Sequence, residues 1–236
     1  MAELEERLHS LRPERMLDVA TGRGGGAAWL ASTFGGGAPV VCADLSPRGF
    51  GAESNAFADP RMLPVVCDAG ALPLAGGAVD LACCVNSLHH FPRPGAVLEE
   101  MRRVAGPGAA LVISEMHSET GSDAQATHRL LHHWWARCDR LMGQYHGETF
   151  TRAGLRGLVE ALEPVELLVE EQDVDGGDPR DPGLMRRLET GCDGYLERLR
   201  EHGGGEGLIR RGMELKRRLR EVGFSPAPRL IILAVL

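Results

Sequence analysis

Residues 17–27 read Leu-Asp-Val-Ala-Thr-Gly-Arg-Gly-Gly-Gly-Ala, an apolar run that leads into a glycine-rich turn. The alanine-rich segment that follows predicts a helix over 27–33. Glycine permits left-handed backbone angles and close approach of a ligand, and the first N–H groups of a helix lack partners within the helix. The spacing Gly22-x-Gly24-x-x-Ala27 also fits a dinucleotide-binding turn. This stretch predicts a ligand-binding strand–turn–helix unit, and a tight turn without ligand is the competing interpretation.

Short apolar runs recur through the first half of the chain and predict four more strands. They are continuous rather than alternating, which is typical of strands buried on both faces. Helical segments are predicted between most of them, at 47–58 and 95–104. This order predicts an α/β fold with a doubly wound, mostly parallel sheet. The five predicted strands cover 16–20, 40–43, 63–67, 79–85 and 109–113.

The second half has a different pattern. Residues 118–162 are polar and helical with the pair Trp134–Trp135 in the middle, for which a core position is favoured over a pocket wall, and 165–169 predicts a strand. Residues 181–222 predict further helix, and 228–236 is a strongly apolar strand. We expect that last strand inside the sheet, because so apolar an edge would aggregate.

Composition bounds the class of protein. The chain has 26 basic and 33 acidic residues and a net charge of −7, which argues against a dedicated nucleic-acid binder. No apolar run approaches the length of a membrane span, and the first residues do not resemble a signal peptide. The six cysteines form no Cys-x-x-Cys pair and are expected as buried thiols in a reducing compartment. We therefore expect a cytoplasmic protein with neither nucleic-acid nor membrane partners.

Polar residues follow four of the predicted strands, namely Asp18, Asp44, Asp68 and Asn86. Ligands of open α/β sheets bind at the carboxyl ends of the strands. A carboxylate at Asp18 suits a cationic group such as an amine better than a pyrophosphate. Asp44 could accept hydrogen bonds from both ribose hydroxyls, or could be the N-cap of a helix that begins at Ser46–Pro47. Asp68 could accept from an exocyclic adenine amine.

At these positions the chain resembles the class I S-adenosylmethionine-dependent methyltransferases, near the branch of ubiquinone and menaquinone biosynthesis. The resemblance covers about residues 14–116. Two features depart from it: alanine stands at 109 in place of a second glycine, and only fifteen residues precede Met16, so that an N-terminal lid would be short. The matching motifs lie in order at 17–24, 41–46, 67–74 with 79–81, and 100–108.

The resemblance implies S-adenosyl-L-methionine as cofactor and a seven-stranded, Rossmann-like methyltransferase sheet with helical lid insertions. It implies one domain over 1–236, with a cofactor-binding half at 14–116, a lid at 117–162 and an insertion at 181–222 before the last strand. The acceptor would be a small molecule, and a homodimer is possible. The cofactor-binding residues would be Asp18, Ala20, Gly22, Gly24, Asp44, Leu45, Asp68, Ala69 and Asn86.

Three functions fit the residues. The favoured one is methyl transfer to a small molecule. A nicotinamide-dependent oxidoreductase shares the ribose-binding acid, although Asp18 argues against it. A cofactor-binding regulatory module without turnover is the third. For methyl transfer, His89, His90 and His146 are candidate bases, because imidazole titrates near neutral pH.

The histidines of the polar helical segment allow a second interpretation. His128 and His132 are four residues apart and share a helical face, which is a spacing found in metal sites. Cys138 and His146 could add ligands. The competing interpretation is a solvated helix that carries histidines, and we favour it, so the sequence predicts no metal.

Overall fold

A seven-stranded sheet forms the centre of the molecule. The computed structural model describes residues 2–50, 55–203 and 205–236. The strands are β1 (Met16–Val19), β2 (Val40–Asp44), β3 (Met62–Val66), β4 (Leu81–Val85), β5 (Ala110–Met116), β6 (Glu166–Gln172) and β7 (Arg229–Val235). The helices are α1 (Ala2–Ser10), α2 (Gly25–Phe34), α3 (Pro94–Ala105), α4 (Asp123–Leu141), α5 (Arg152–Glu160), α6 (Pro182–His202) and α7 (Glu206–Val222).

The strand order is β3-β2-β1-β4-β5-β7-β6. The first five strands are parallel, and β7 runs antiparallel between β5 and β6. The fold prediction is therefore confirmed, and so is the interior position of the last strand. The antiparallel β6–β7 pair also distinguishes this sheet from the all-parallel dinucleotide-binding order.

The sheet is packed on both faces because successive side chains of a strand point to opposite sides. Met16 packs with α1 and α2 on one face. Leu17 packs with α3 and α5 on the other. This arrangement brings the turns that follow β1, β2 and β4 to one edge of the sheet, since the carboxyl ends of parallel strands meet there.

Helices α4, α6 and α7 form a third apolar cluster beside the sheet. Trp134 of α4 is buried there, and its indole nitrogen donates to the Leu208 carbonyl at 2.9 Å. The core position predicted for Trp134 is confirmed. The segment predicted as one lid, 117–162, is divided in the structure: α4 packs with α6 and α7, while α5 packs on the sheet through Leu155 and Val159.

Two expectations of local structure differ from what is observed. The helix predicted at 47–58 is replaced by short 3₁₀ turns at Pro47–Phe50 and Asn55–Ala58, and residues 51–54 lie outside the described residues. Strand β3 is not buried on both faces, because it is the edge strand and exposes Leu63 and Val66.

All six cysteines are free, and five of them are buried, while Cys67 is half-buried. Within the ranges that the structure describes, no helix is both long and apolar enough to cross a membrane.

Candidate functional site

The turn between β1 and α2 has an unusual backbone. Ala20, Gly22 and Gly24 all have positive φ, at 56°, 53° and 86°. A β-carbon at Gly24 would lie 2.6 Å from that of Ala56, so the 3₁₀ turn at Asn55–Ala58 can pack this closely only against a glycine. The loop is thus held in a left-handed conformation that directs its backbone toward the strand ends.

A cleft of about 790 Å³ opens beside this loop. This volume falls within the usual range for small-molecule sites, about 300–1,000 Å³. One wall is formed by the glycine loop, the start of α2 and Ser87, which follows β4. The other wall is α1 and the face of β5, β7 and β6, including Ser114 and Arg229.

Two of the predicted cofactor residues, Ala20 and Gly22, line the cleft. Sequence reasoning missed the other lining residues, among them Thr21, Gly25, Gly26, Trp29 and Ser87. Thr21, Gly25 and Gly26 belong to the same glycine-rich stretch as the predicted residues, so their position in the sequence could have identified them as lining residues. Ser87 directly follows Asn86 after β4 and could have been found by the same strand-end signal, whereas Trp29 depends on how α2 packs, which has no local sequence signal.

Asp18 lies beneath the loop rather than in the cleft wall, and it is only 1 % exposed. Its Oδ1 accepts from the Cys83 thiol at 3.2 Å, and its Oδ2 has no partner among the described residues. Burial raises the pKa of Asp18 to about 6. A β-carbon at Gly26 would lie 2.6 Å from Oδ1, so the carboxylate packs directly against the start of α2.

Asp44 connects the end of β2 to the glycine loop. Its Oδ2 accepts from the Gly22 amide at 2.8 Å and its Oδ1 from the Ser46 amide at 2.9 Å. The bond to the Ser46 amide closes a short turn, and the helix that Asp44 was predicted to cap is a 3₁₀ turn at Pro47–Phe50. The next residue, Leu45, is 76 % exposed.

The remaining predicted cofactor residues lie after β3 and β4. Asp68 is exposed and accepts from the Gly70 amide at 2.8 Å, and Ala69 is buried. Asn86 is exposed with φ of 52°, and its amide donates to the Ser114 carbonyl at 2.6 Å. The fold therefore brings Asp68 and Asn86 to the carboxyl edge of the sheet, as predicted from their positions just after strands.

Three buried histidines, His89, His132 and His146, form a cluster, and His89 is two residues beyond Ser87 in the chain. His132 Nε2 lies 3.2 Å from His89 Nε2 and 3.2 Å from His146 Nε2. His89 Nδ1 is 2.8 Å from a Glu115 carboxylate oxygen, and His146 Nδ1 is 2.7 Å from Asp139 Oδ2. The cluster therefore joins the turn after β4, helix α4 and the loop after it.

The structure corrects the expectation of a solvated helix. His132 and His146 are buried, and burial together with the neighbouring His89 and His146 lowers the pKa of His132 to about 2. His128, the predicted helical partner of His132, is elsewhere, since its Nδ1 accepts from the Ala227 amide at 2.8 Å.

The thiol proposed as an additional ligand, Cys138, lies in the apolar cluster of α4, α6 and α7. His90 is exposed, with its ring 4.3 Å from that of His89 and 4.2 Å from that of His146. Among the three histidines predicted as bases, only His90 is open to solvent.

Comparisons with known proteins point to one class. Residues 17–113 match the family model of a methyltransferase domain. An uncharacterized methyltransferase of Mycobacteroides abscessus is 35 % identical over 109 residues, which are 44 % of this chain and 40 % of that protein. The chain thus aligns with about two fifths of the length of the curated relatives it matches.

Solved structures extend the likeness to the whole fold. The 4+2 cyclase SpnF superposes with a TM-score of 0.60 at 17 % identity, over 98 % of this chain and 79 % of that chain. Phosphoethanolamine N-methyltransferase 2 of Haemonchus contortus, solved in complex with phosphomonomethylethanolamine and S-adenosylhomocysteine, gives 0.54 at 18 % identity, over 99 % and 52 %.

The strand order and the cleft define a class I methyltransferase fold. Residues 17–113 match the methyltransferase-domain model, and the rest of the chain completes the same fold. The branch of ubiquinone and menaquinone biosynthesis stays a prediction.

Proposed function

We propose that this protein transfers a methyl group from S-adenosylmethionine to a small-molecule acceptor. The observation that carries the proposal is the 790 Å³ cleft built against the glycine loop of a methyltransferase domain. Fold does not fix reaction, and the cyclase SpnF has this fold, so methyl transfer has to be tested directly.

The residues fit such a cofactor in size and in chemistry. Gly25 and Gly26 line the cleft without side chains, so that their backbone is accessible to a ligand. Asp44 has an acceptor lone pair left on each oxygen after its two backbone bonds, which suits ribose hydroxyls. We propose the remaining predicted residues as the rest of the site: the loop positions Ala20, Gly22 and Gly24, the acid Asp18 beneath them, and Leu45, Asp68, Ala69 and Asn86 around the adenosine.

The acceptor would approach from the side of His90. S-adenosylmethionine supplies an electrophilic methyl group, and the protein orients the acceptor and handles its proton. His89 and His146 engage His132 through Nε2, which leaves His90 as the candidate base. Partial burial and the neighbouring His89 and His146 lower the pKa of His90 to about 3, so it would be a weak base at neutral pH. Helix α4 and the loop after it, which belong to the lid proposed at 117–162, would cover the acceptor. The helices at 181–222 would pack behind this lid.

Binding is tested best at Gly25, since Gly24 is too crowded to be informative. A β-carbon at Gly25 meets no protein atom within 4 Å, and Gly25 lines the cleft, so a larger side chain there would occupy cleft space. We expect Gly25→Leu to keep its fold and to lose at least about tenfold in affinity for S-adenosylhomocysteine, about 1.4 kcal/mol, by calorimetry. Gly95→Leu is the matched control, because it adds the same side chain in open space at the start of α3.

Unchanged affinity in a folded Gly25→Leu protein would place the cofactor elsewhere. Tighter binding of NADH than of S-adenosylhomocysteine would instead favour an oxidoreductase. Methyl transfer itself is measured as label passing from methyl-labelled S-adenosylmethionine to a panel of phenols, amines and thiols. Cofactor binding without transfer across that panel would favour a module without methyltransferase turnover.

A further inference from the structure

We propose that His89, His132 and His146 form a binding site for one divalent transition-metal ion, and that the ion is Zn²⁺. The three residues come from the turn after β4, from α4 and from the loop after α4. Among the described residues they form a group whose ligand atoms all lie within 4.8 Å of one another, and all three are buried. The inference does not rest on the proposed methyl transfer.

The spacing of the nitrogen atoms fits a metal centre. In a tetrahedral site with Zn–N distances near 2.0–2.1 Å, neighbouring ligand nitrogens lie about 3.3 Å apart. His132 Nε2 is 3.2 Å from the Nε2 atom of each partner, His89 and His146. The third pair, His89 and His146, lies within 4.8 Å, so these two rings would close toward each other around an ion.

The carboxylates around the cluster decide where the ring protons are. His89 Nδ1 donates to Glu115, which also accepts from the amides of Leu88 at 2.8 Å and Met116 at 3.2 Å. His146 Nδ1 donates to Asp139, which also accepts from the Tyr195 hydroxyl at 3.1 Å. In their neutral forms both rings then present a bare Nε2 lone pair toward His132.

A cation between the rings would satisfy these lone pairs. His132 has one Nε2 proton at most and can donate it to only one neighbour at a time, so the other contact would have no proton of its own. His132 Nδ1 has no partner among the described residues, so the single proton of the neutral ring can be on Nδ1. All three Nε2 atoms are then available to an ion. A histidine ligand whose second nitrogen donates to a carboxylate is the usual arrangement in metal sites.

The ligand set favours zinc over harder ions. Imidazole nitrogen suits Zn²⁺, Cu²⁺, Ni²⁺ and Fe²⁺, whereas Mg²⁺ and Ca²⁺ prefer oxygen. Buried three-histidine sites leave a fourth position for water or a substrate atom. Here the ion would also connect three segments of the chain, so its binding should stabilise the folded protein.

The test uses the full chain without a histidine tag, stripped with EDTA and then titrated with Zn²⁺ in competition with a chromophoric chelator. We expect one equivalent to bind and the melting temperature to rise. His132→Gln should abolish both effects. His133→Gln is the matched control, because this neighbouring side chain bonds to Thr149 instead, and it should retain both.

Two further measurements make the test independent of one variant. Asp139→Asn should weaken Zn²⁺ binding about 10- to 100-fold, as expected for loss of a carboxylate behind a ligand. Co²⁺ in the unmodified protein should give the visible absorption of a tetrahedral nitrogen-coordinated ion. Absence of Zn²⁺ binding to the unmodified protein would overturn the site, and so would equal binding by folded His132→Gln and His133→Gln proteins.

Discussion

The Asp18 carboxylate is enclosed beneath the glycine loop with one oxygen unpartnered among the described residues. Burial raises its pKa from 3.8 to about 6, so the folded protein holds this proton more tightly than the unfolded chain. Between those two values the folded state therefore loses stability as pH rises, and the loss is complete above about pH 6. At neutral pH the ionised Asp18 carboxylate therefore lowers the stability of the folded protein. It lies beneath the glycine loop that lines the proposed site.

We predict that Asp18→Asn stabilises the protein at pH 7.5 by about 1–3 kcal/mol, because it removes a buried charge. The difference should shrink toward pH 4, where Asp18 is protonated in the folded protein. Urea unfolding of both proteins across this pH range measures it. A difference that does not vary with pH would mean that the carboxylate is not buried in solution.

At the scale of elements, α7 packs against α4 at a glycine. A β-carbon at Gly212 would collide with the Trp134 ring and lie 2.9 Å from Leu196 Cδ2. The absence of a side chain at this position lets the three helices close over one apolar cluster. The neighbouring helix α6 has a comparable residue, Gly191, which is exposed and meets nothing within 4 Å.

We predict opposite outcomes for these two glycines. Gly212→Ala should destabilise the protein by about 1–3 kcal/mol through overpacking, although alanine favours helix by up to about 1 kcal/mol. Gly191→Ala should stabilise it by about 0.5–1 kcal/mol. Chemical denaturation gives both values, and a Gly212→Ala protein as stable as Gly191→Ala would refute close packing of α7 on Trp134.

For the whole molecule, His128 connects the helical layer to the segment before the last strand. Its Nδ1 accepts from the Ala227 amide and its ring packs 4.7 Å from that of Phe224. Burial, with Arg229 nearby, lowers the pKa of His128 from 6.5 to about 4. The unfolded chain takes up this proton first, so stability is lost as pH falls from about 6.5 to 4.

We predict that His128→Asn reduces this acid destabilisation by about 1–3 kcal/mol, because the Asn carbonyl can accept from Ala227 without titrating. Asp18 acts in the opposite direction over part of this range, so the comparison is made between the two proteins rather than on the slope of one. Unfolding free energies at pH 7 and pH 4.5 measure it. Identical pH dependence in the two proteins would contradict a buried, neutral His128.

The sequence by itself determined the positions of the strands along the chain, the interior place of the last strand, the glycine turn and the polar residues at the strand ends. These features depend on local apolar runs and on the rule that parallel strands end at one edge, so short stretches carry the signal. The match of 17–113 to the methyltransferase domain and the observed sheet confirm the fold. The burial of Asp18 beneath its loop was not predictable, because it depends on the start of α2 and on Cys83.

Only the tertiary structure decided what the histidines do. The sequence paired His128 with His132 by helical spacing, whereas folding brings His132 to His89 and His146, which lie 43 and 14 residues away. A polar helix such as α4 is predicted as solvated, and one side of it is buried here because α6 and α7 pack against it. Convergence of side chains from distant segments is set by how elements dock, and no local pattern of residues records it.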